Sequence, residues 1–147
     1  MADLASSTLF EDTLKIEAID REGKVFQQVS RVEGTTELHR IVVALDLHSD
    51  LYPVAVGQHH SIILTSSLSL DAREQELAFV LHQDYSNTLI EKAEYCMHGK
   101  IFRHVPDKGN ITVSISFGGL LMTLLGANTY LNNLDLDADV YCLMRKL

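Results

Sequence analysis

The strongest hydrophobic pattern in the chain lies in Ile111 to Ala127, ITVSISFGGLLMTLLGA. Ile111, Val113, Ile115 and Phe117 alternate with Thr112, Ser114 and Ser116. A period of two places one face of a strand in a core and the other toward water. Gly118-Gly119 follows, a pair that tolerates positive φ and reverses a chain tightly. Beyond it, Leu120, Met122 and Leu124 fall on one face and Leu121 and Leu125 on the other. A strand that is apolar on both faces needs cover on both. The chain's own core supplies one cover, and the pattern predicts that another protein supplies the second.

The rest of the chain reads as short strands between turns. Leu14, Ile16 and Ala18 alternate with polar neighbours, and Asp20-Arg21-Glu22-Gly23 is a turn by composition. From Lys24 to Glu33, Phe26, Val29 and Val32 are spaced by three, which fits a bulged strand or a short helix; Val and Phe suit a pleated surface, so the bulged strand is the expectation. Gly34-Thr35-Thr36 reads as the next turn. Ile41, Val43, Leu45 and Leu47 then alternate with Arg40, Val42, Ala44 and Asp46. Pro53 confines Leu51 to Val54 to an edge or a loop, and Ile62 and Leu64 mark another strand. Ser69 to Lys92 lacks Gly and Pro. Asp71 with Glu74 resembles a capping box, and Leu77, Val80 and Leu81 have helical spacing, which predicts a short helix in a long insertion. Strands resume over Glu94 to Arg103. Pro106 to Asn110 is a turn, Asn128 to Asn133 a loop, and Val140 to Leu147 a last strand. About eight short strands with Gly, Asn and Asp turns predict an all-β, antiparallel barrel or sandwich, and 147 residues predict one domain spanning 1–147.

Composition narrows the function more than the fold. Twelve basic residues against 20 acidic ones give a formal charge of −8. Nucleic-acid binding draws on Lys and Arg to neutralise phosphates, and here they are scattered, aromatics are 7% and Trp is absent. A single-stranded nucleic-acid-binding module, with stacking aromatics in a positive groove, is therefore the alternative rather than the leading reading. The opening MADLASSTLFEDTL is acidic and has no basic segment before an apolar stretch, so it does not read as a signal peptide. No apolar run approaches the ~20 residues of a membrane helix.

Candidate chemistry is thin. Cys96 and His98 share a strand face, and His59-His60 could be imagined beside them, but no CxxC or HExxH spacing supports a metal site. Asp135, Asp137 and Asp139 lack the glycine and the bidentate glutamate of a calcium loop. Gly118, Gly119 and Gly126 belong to no GxxxxGK phosphate cradle, and no nucleophile elbow occurs. The expectation is a chain without catalytic residues, cofactor or small-molecule substrate.

Several segments occur in an order shared with one family: LFED (Leu9 to Asp12), VSRVE (Val29 to Glu33), LYPV (Leu51 to Val54), the Ser66-Ser67-Leu68 strand end, YCMHGKIFR (Tyr95 to Arg103), SFGGLLM (Ser116 to Met122) and VYCLMRKL (Val140 to Leu147). Together they resemble the small subunit shared by eukaryotic nuclear RNA polymerases I, II and III, the eighth in the polymerase II ordering. The resemblance implies an OB-like β-barrel with an insertion at about 69–92, no catalysis of its own, a place in the nucleus and nucleolus, and docking on the largest subunit. Weak contact with single-stranded nucleic acid, which OB-like barrels often make, is the other partner considered; a membrane is not one. Carried over by position, the contact residues are Gly118, Gly119, Leu120, Leu121 and Met122, with Tyr52, Pro53 and Val54. Two departures stand out: the insertion is apolar at Leu77, Phe79, Val80 and Leu81, and His98 stands where the family pattern leads one to expect Tyr.

Overall fold

A computed structural model describes residues 8–23, 27–67 and 93–147. The helix expected within 69–92 lies outside the described residues, as does the start of the strand expected from Lys24. Among the described residues eight strands follow in order: β1 (Thr8–Ile19), β2 (Val29–Thr36), β3 (Val42–His48), β4 (His59–Thr65), β5 (Tyr95–Asp107), β6 (Asn110–Phe117), β7 (Leu120–Ala127) and β8 (Asp139–Lys146). One short helix, α1 (Asn128–Leu131), separates the last two and occupies part of the segment read as loop. The strands close into a barrel in the order β1-β2-β3-β7-β6-β5-β8-β4, and the pairs are antiparallel. The all-β barrel expected from the alternation is the fold observed.

Alternation explains the interior. Ile41, Val43, Leu45 and Leu47 are fully buried, as are Ile62, Leu64, Val113, Ile115, Met122 and Leu124. Side chains of this kind fill a small barrel instead of leaving a pore. Each fully buried Leu or Ile contributes about 1.5–3 kcal/mol relative to exposure.

Two features differ from the sequence reading. The bulge lies in β1, where the pairing slips between Ile16 and Ala18, and not in β2. Gly34, expected in a turn, is inside β2 opposite Ile16. A Cβ at Gly34 would collide with the carbonyl oxygen of Lys15. Here glycine permits close approach of two strands, not a reversal. The actual β2–β3 reversal is Glu37 to Arg40, where Arg40 adopts φ 57°. Asp12 pins it. Its Oδ1 accepts the amides of Thr13 at 2.7 Å and Leu38 at 3.0 Å, and its Oδ2 accepts the amide of His39 at 2.7 Å.

Candidate docking surface

The β6–β7 hairpin turns on two residues, since Phe117 pairs with Leu120. Gly118 and Gly119 have φ of 64° and 103°. Two consecutive positive values match the turn whose twist suits a tight hairpin, and glycine adopts them at little steric cost. Nothing lies within 4 Å of a Cβ built at either position, so backbone conformation rather than space demands glycine.

From this turn β7 divides its apolar residues as expected. Met122 and Leu124 are fully buried, while Leu121 and Leu125 remain 39% and 41% exposed. Leu120 is half-buried at the rim and packs on the core. Met122 is therefore sealed inside the barrel: its side chain braces the outer surface from beneath and does not line it.

Register extends the exposed residues into a patch. Val42 pairs with Leu125, Leu125 with Thr112, and Thr112 with Val105. Residues paired across strands point to the same face, so these four form one row across β3, β7, β6 and β5. Val42 and Val105 are 50% and 41% exposed. Three strand spacings make the row about 14 Å long. The next row, Ala44, Thr123, Ser114 and Arg103, is made mostly of small side chains. Beside Leu121 the surface turns charged. Asp46 Oδ2 accepts the Leu121 amide at 3.0 Å, and the same carboxylate takes Arg31 in a two-pronged pair at 2.8 and 3.1 Å. Beyond lies an open groove of about 620 Å³ between the Asp20–Gly23 turn and Gly119-Leu120.

The loop between β3 and β4 departs from the same end of the barrel, because β3 ends where antiparallel β7 begins. Within it, Tyr52 is only 6% exposed. Its ring stacks on Tyr95 at 5.1 Å and its hydroxyl lies 2.6 Å from His60 Nδ1. Tyr52 thus anchors the loop, and its neighbours Leu51, Pro53 and Val56 face solvent while Val54 is half-buried. Burial pushes the Tyr52 phenol up and the His60 imidazole down from their ordinary values.

The residues weighed for metal chemistry are not brought together. His60 is wholly buried beside Tyr52, whereas His98 is on the outer face stacked on Tyr141 at 4.6 Å. Cys142 is buried and Cys96 half-buried, both as free thiols. Among the described residues no group of three or more His, Cys, Asp or Glu could hold a metal ion, and no helix is long and apolar enough to cross a membrane.

A family model, RNA polymerase Rpb8, matches residues 11–146. The chain belongs to the RNA polymerase Rpb8 family. It is 34% identical over 142 residues to a protein of Arabidopsis thaliana named DNA-directed RNA polymerases II, IV and V subunit 8B, covering 95% of this chain and 96% of that one. It is 35% identical over 143 residues to DNA-directed RNA polymerases I, II, and III subunit rpabc3 of Dictyostelium discoideum, covering 96% and 99%. The corresponding subunit RPABC3 of Schizosaccharomyces pombe is 30% identical over 144 residues, covering 97% and 100%. The likeness to Rpb8-family chains thus spans the barrel from β1 to β8. Sequence reasoning missed Val42 and Val105 as surface residues. The signal for Val42 was present: an aliphatic side chain stood at an outward position of an otherwise clean alternation.

Proposed function

We propose that this chain is a non-catalytic structural subunit shared by DNA-directed RNA polymerases I, II and III, working in the nucleus and nucleolus. In this reading it docks on the largest subunit through the outer face of β3, β7, β6 and β5. The observation that carries the reading is the row Val42–Leu125–Thr112–Val105, aliphatic at three of its four positions, with Leu121 on the same outer face of β7 beyond the intervening Thr123 row, on a barrel whose core is already filled. Exposed aliphatic side chains gathered on one outer face of a sheet suit a partner surface. A permanent contact needs ~800 Å² on each side. Leu121 and Leu125 form its apolar centre, Gly118, Gly119 and Leu120 its rim, and Pro53 and Val54 an outlying contact. Met122 and Tyr52 hold this surface rigid from within. The names carried by relatives matched over nearly their whole length support an RNA polymerase as the complex it joins.

Single-stranded nucleic-acid binding has less support. The outer aromatic pair of His98 and Tyr141 has Asp139 beside it, 3.8 Å from His98 Nε2, and a carboxylate there repels phosphate.

Leu121→Asp and Leu125→Asp test the docking. Both variants keep the circular dichroism of the barrel and lose co-purification with the largest subunit. Undiminished recovery in the complex removes these residues from the interface, and recovery with another large partner redirects the assignment.

A further inference from the structure

The buried imidazole of His60 has no part in a docking surface, yet it ties both ends of the β3–β4 loop together. Its Nε2 lies 3.1 Å from Gln58 Oε1, and that oxygen also accepts the amide of Ala55 at 3.0 Å. An atom that accepts from an amide is the carbonyl oxygen of Gln58, so Nε2 of His60 carries the hydrogen. Nδ1 is then a lone pair and accepts the Tyr52 hydroxyl at 2.6 Å. Tyr52 stacks on Tyr95, whose hydroxyl accepts the His48 amide at 3.1 Å where the loop begins. Where the loop ends, the Gly57 amide donates to the Ile16 carbonyl at 2.8 Å and the Gln58 carbonyl accepts the Ile16 amide at 2.9 Å.

We propose that His60 is a latch: neutral, it holds the β3–β4 loop in the conformation that presents Pro53 and Val54, and protonated, it releases that loop. Proton counting gives the reason. The neutral ring satisfies one donor and one acceptor with none left over. A second ring hydrogen, on Nδ1, points at a hydroxyl that is already donating. The hydroxyl must turn, and its own hydrogen then lacks its acceptor in a site where Tyr52 is 6% exposed and His60 is not exposed at all. A buried donor without a partner is costly.

The charged and titratable groups around the ring divide in sign. Lys146 on β8 and His59 on β4 oppose protonation, and Glu94, just before β5, favours it. The Glu94 carboxylate is engaged by the Lys146 amide at 2.7 Å. Tyr52, Tyr95 and Cys142 are the other titratable groups of the pocket, and burial holds each in its neutral form. Burial also opposes an imidazolium, so the latch opens only below the ordinary histidine range of about 6.5.

The consequence for docking rests on the reading of Pro53 and Val54 as partner contacts; the latch itself does not. The test is amide hydrogen exchange of the full chain, read by NMR at Ala55 and Gly57 and corrected for intrinsic rates, from pH 7.5 down to the onset of acid unfolding. Wild type loses protection by about tenfold or more as pH falls. His60→Gln, which can accept from Tyr52 and donate to Gln58 at any pH, shows no such loss. Should that variant misfold, Tyr52→Phe serves: without the hydroxyl that Nδ1 holds, its loop is less protected than wild type at pH 7.5, and the further loss on acidification is smaller. Wild-type protection that is flat across the range overturns the latch. Co-purification of the tagged chain with the largest subunit at pH 7.5 and at the pH where exchange shows the loop open is the second arm. A loop that opens while recovery stays constant removes the loop from the docking surface and leaves the latch standing.

Discussion

The amide of Leu121 donates to the carboxylate of Asp46 across 3.0 Å, where the paired ladder of β3 and β7 has just ended at Leu45 and Met122. A side chain thus continues what the backbones leave off. The same carboxylate holds Arg31 on the far side of β3, so one residue fixes the start of β7 against β2. Asp46→Ala is expected to cost about 1–2 kcal/mol, since the bonds are charge-assisted but partly open to water. Asp46→Asn keeps one acceptor and costs less. Urea denaturation of the isolated chain measures both. The alanine variant also loosens the position of Leu121, and its incorporation into the polymerase falls further than its stability does.

Gly118 and Gly119 give a prediction free of packing effects. Both have positive φ, and neither has a neighbour within 4 Å of a built Cβ. Alanine at either position therefore strains only the backbone, by about 1 kcal/mol each. Asn at 118 is tolerated better, because its side chain supports the left-handed conformation. Thermal melts of the three variants rank them, and an alanine variant as stable as wild type at either site contradicts the turn geometry.

How much of this was legible in the sequence depends on the period. Wherever apolar residues alternated, as from Ile41 to Leu47 and Ile111 to Phe117, strand and buried face were both readable, because the pleat puts every second side chain on one side. The glycine pair announced its turn for the same local reason. Gly34 was misread because its requirement is not local: the Lys15 carbonyl that excludes a Cβ comes from another strand. Tyr52 was nominated for the surface and serves as an anchor beneath it, since its partners His60 and Tyr95 are eight and 43 residues away. The exposed row was half legible. Leu121 and Leu125 betrayed themselves within β7, but joining them to Val42 and Val105 needed a strand order that no pattern supplies.

Asp12 makes the fold acid-sensitive. Its side chain is 1% exposed. Burial alone would raise its carboxyl, but the amides of His39, Leu38 and Thr13 and the His39 ring outweigh it and bring the value from 3.8 down to about 2. The folded state thus prefers the carboxylate more than the unfolded state does. That preference is fully present above pH 3.8, declines as the unfolded chain begins to take up protons, and is gone below about 2. It amounts to about 2 kcal/mol. Asp12→Asn removes this part of the pH dependence and lowers stability at pH 7 by a similar amount. Urea midpoints at pH 7, 4 and 3 check both statements. A wild-type midpoint that holds steady between pH 4 and pH 3 assigns the carboxylate no such role.

The outermost aliphatics separate docking from folding. Val42 and Val105 are 50% and 41% exposed and sit at the two ends of one row. Replacing either by Thr keeps the β-branched shape that suits a strand, so barrel stability should move by no more than about 0.5 kcal/mol. Lost apolar contact with a partner is a separate matter. Each valine buried in an interface contributes on the order of 1 kcal/mol, and the two are far enough apart to add. Val42→Thr with Val105→Thr is therefore expected to weaken assembly by roughly 30-fold, at about 1.4 kcal/mol per factor of ten, while the urea midpoint stays nearly constant. Competition between tagged wild type and double variant for incorporation into polymerase reads the ratio directly. Equal incorporation would place the contact elsewhere on the barrel and leave Leu121 and Leu125 to be explained alone. A skewed ratio with an unchanged midpoint assigns the row to the partner, since no residue of the chain's own core depends on it.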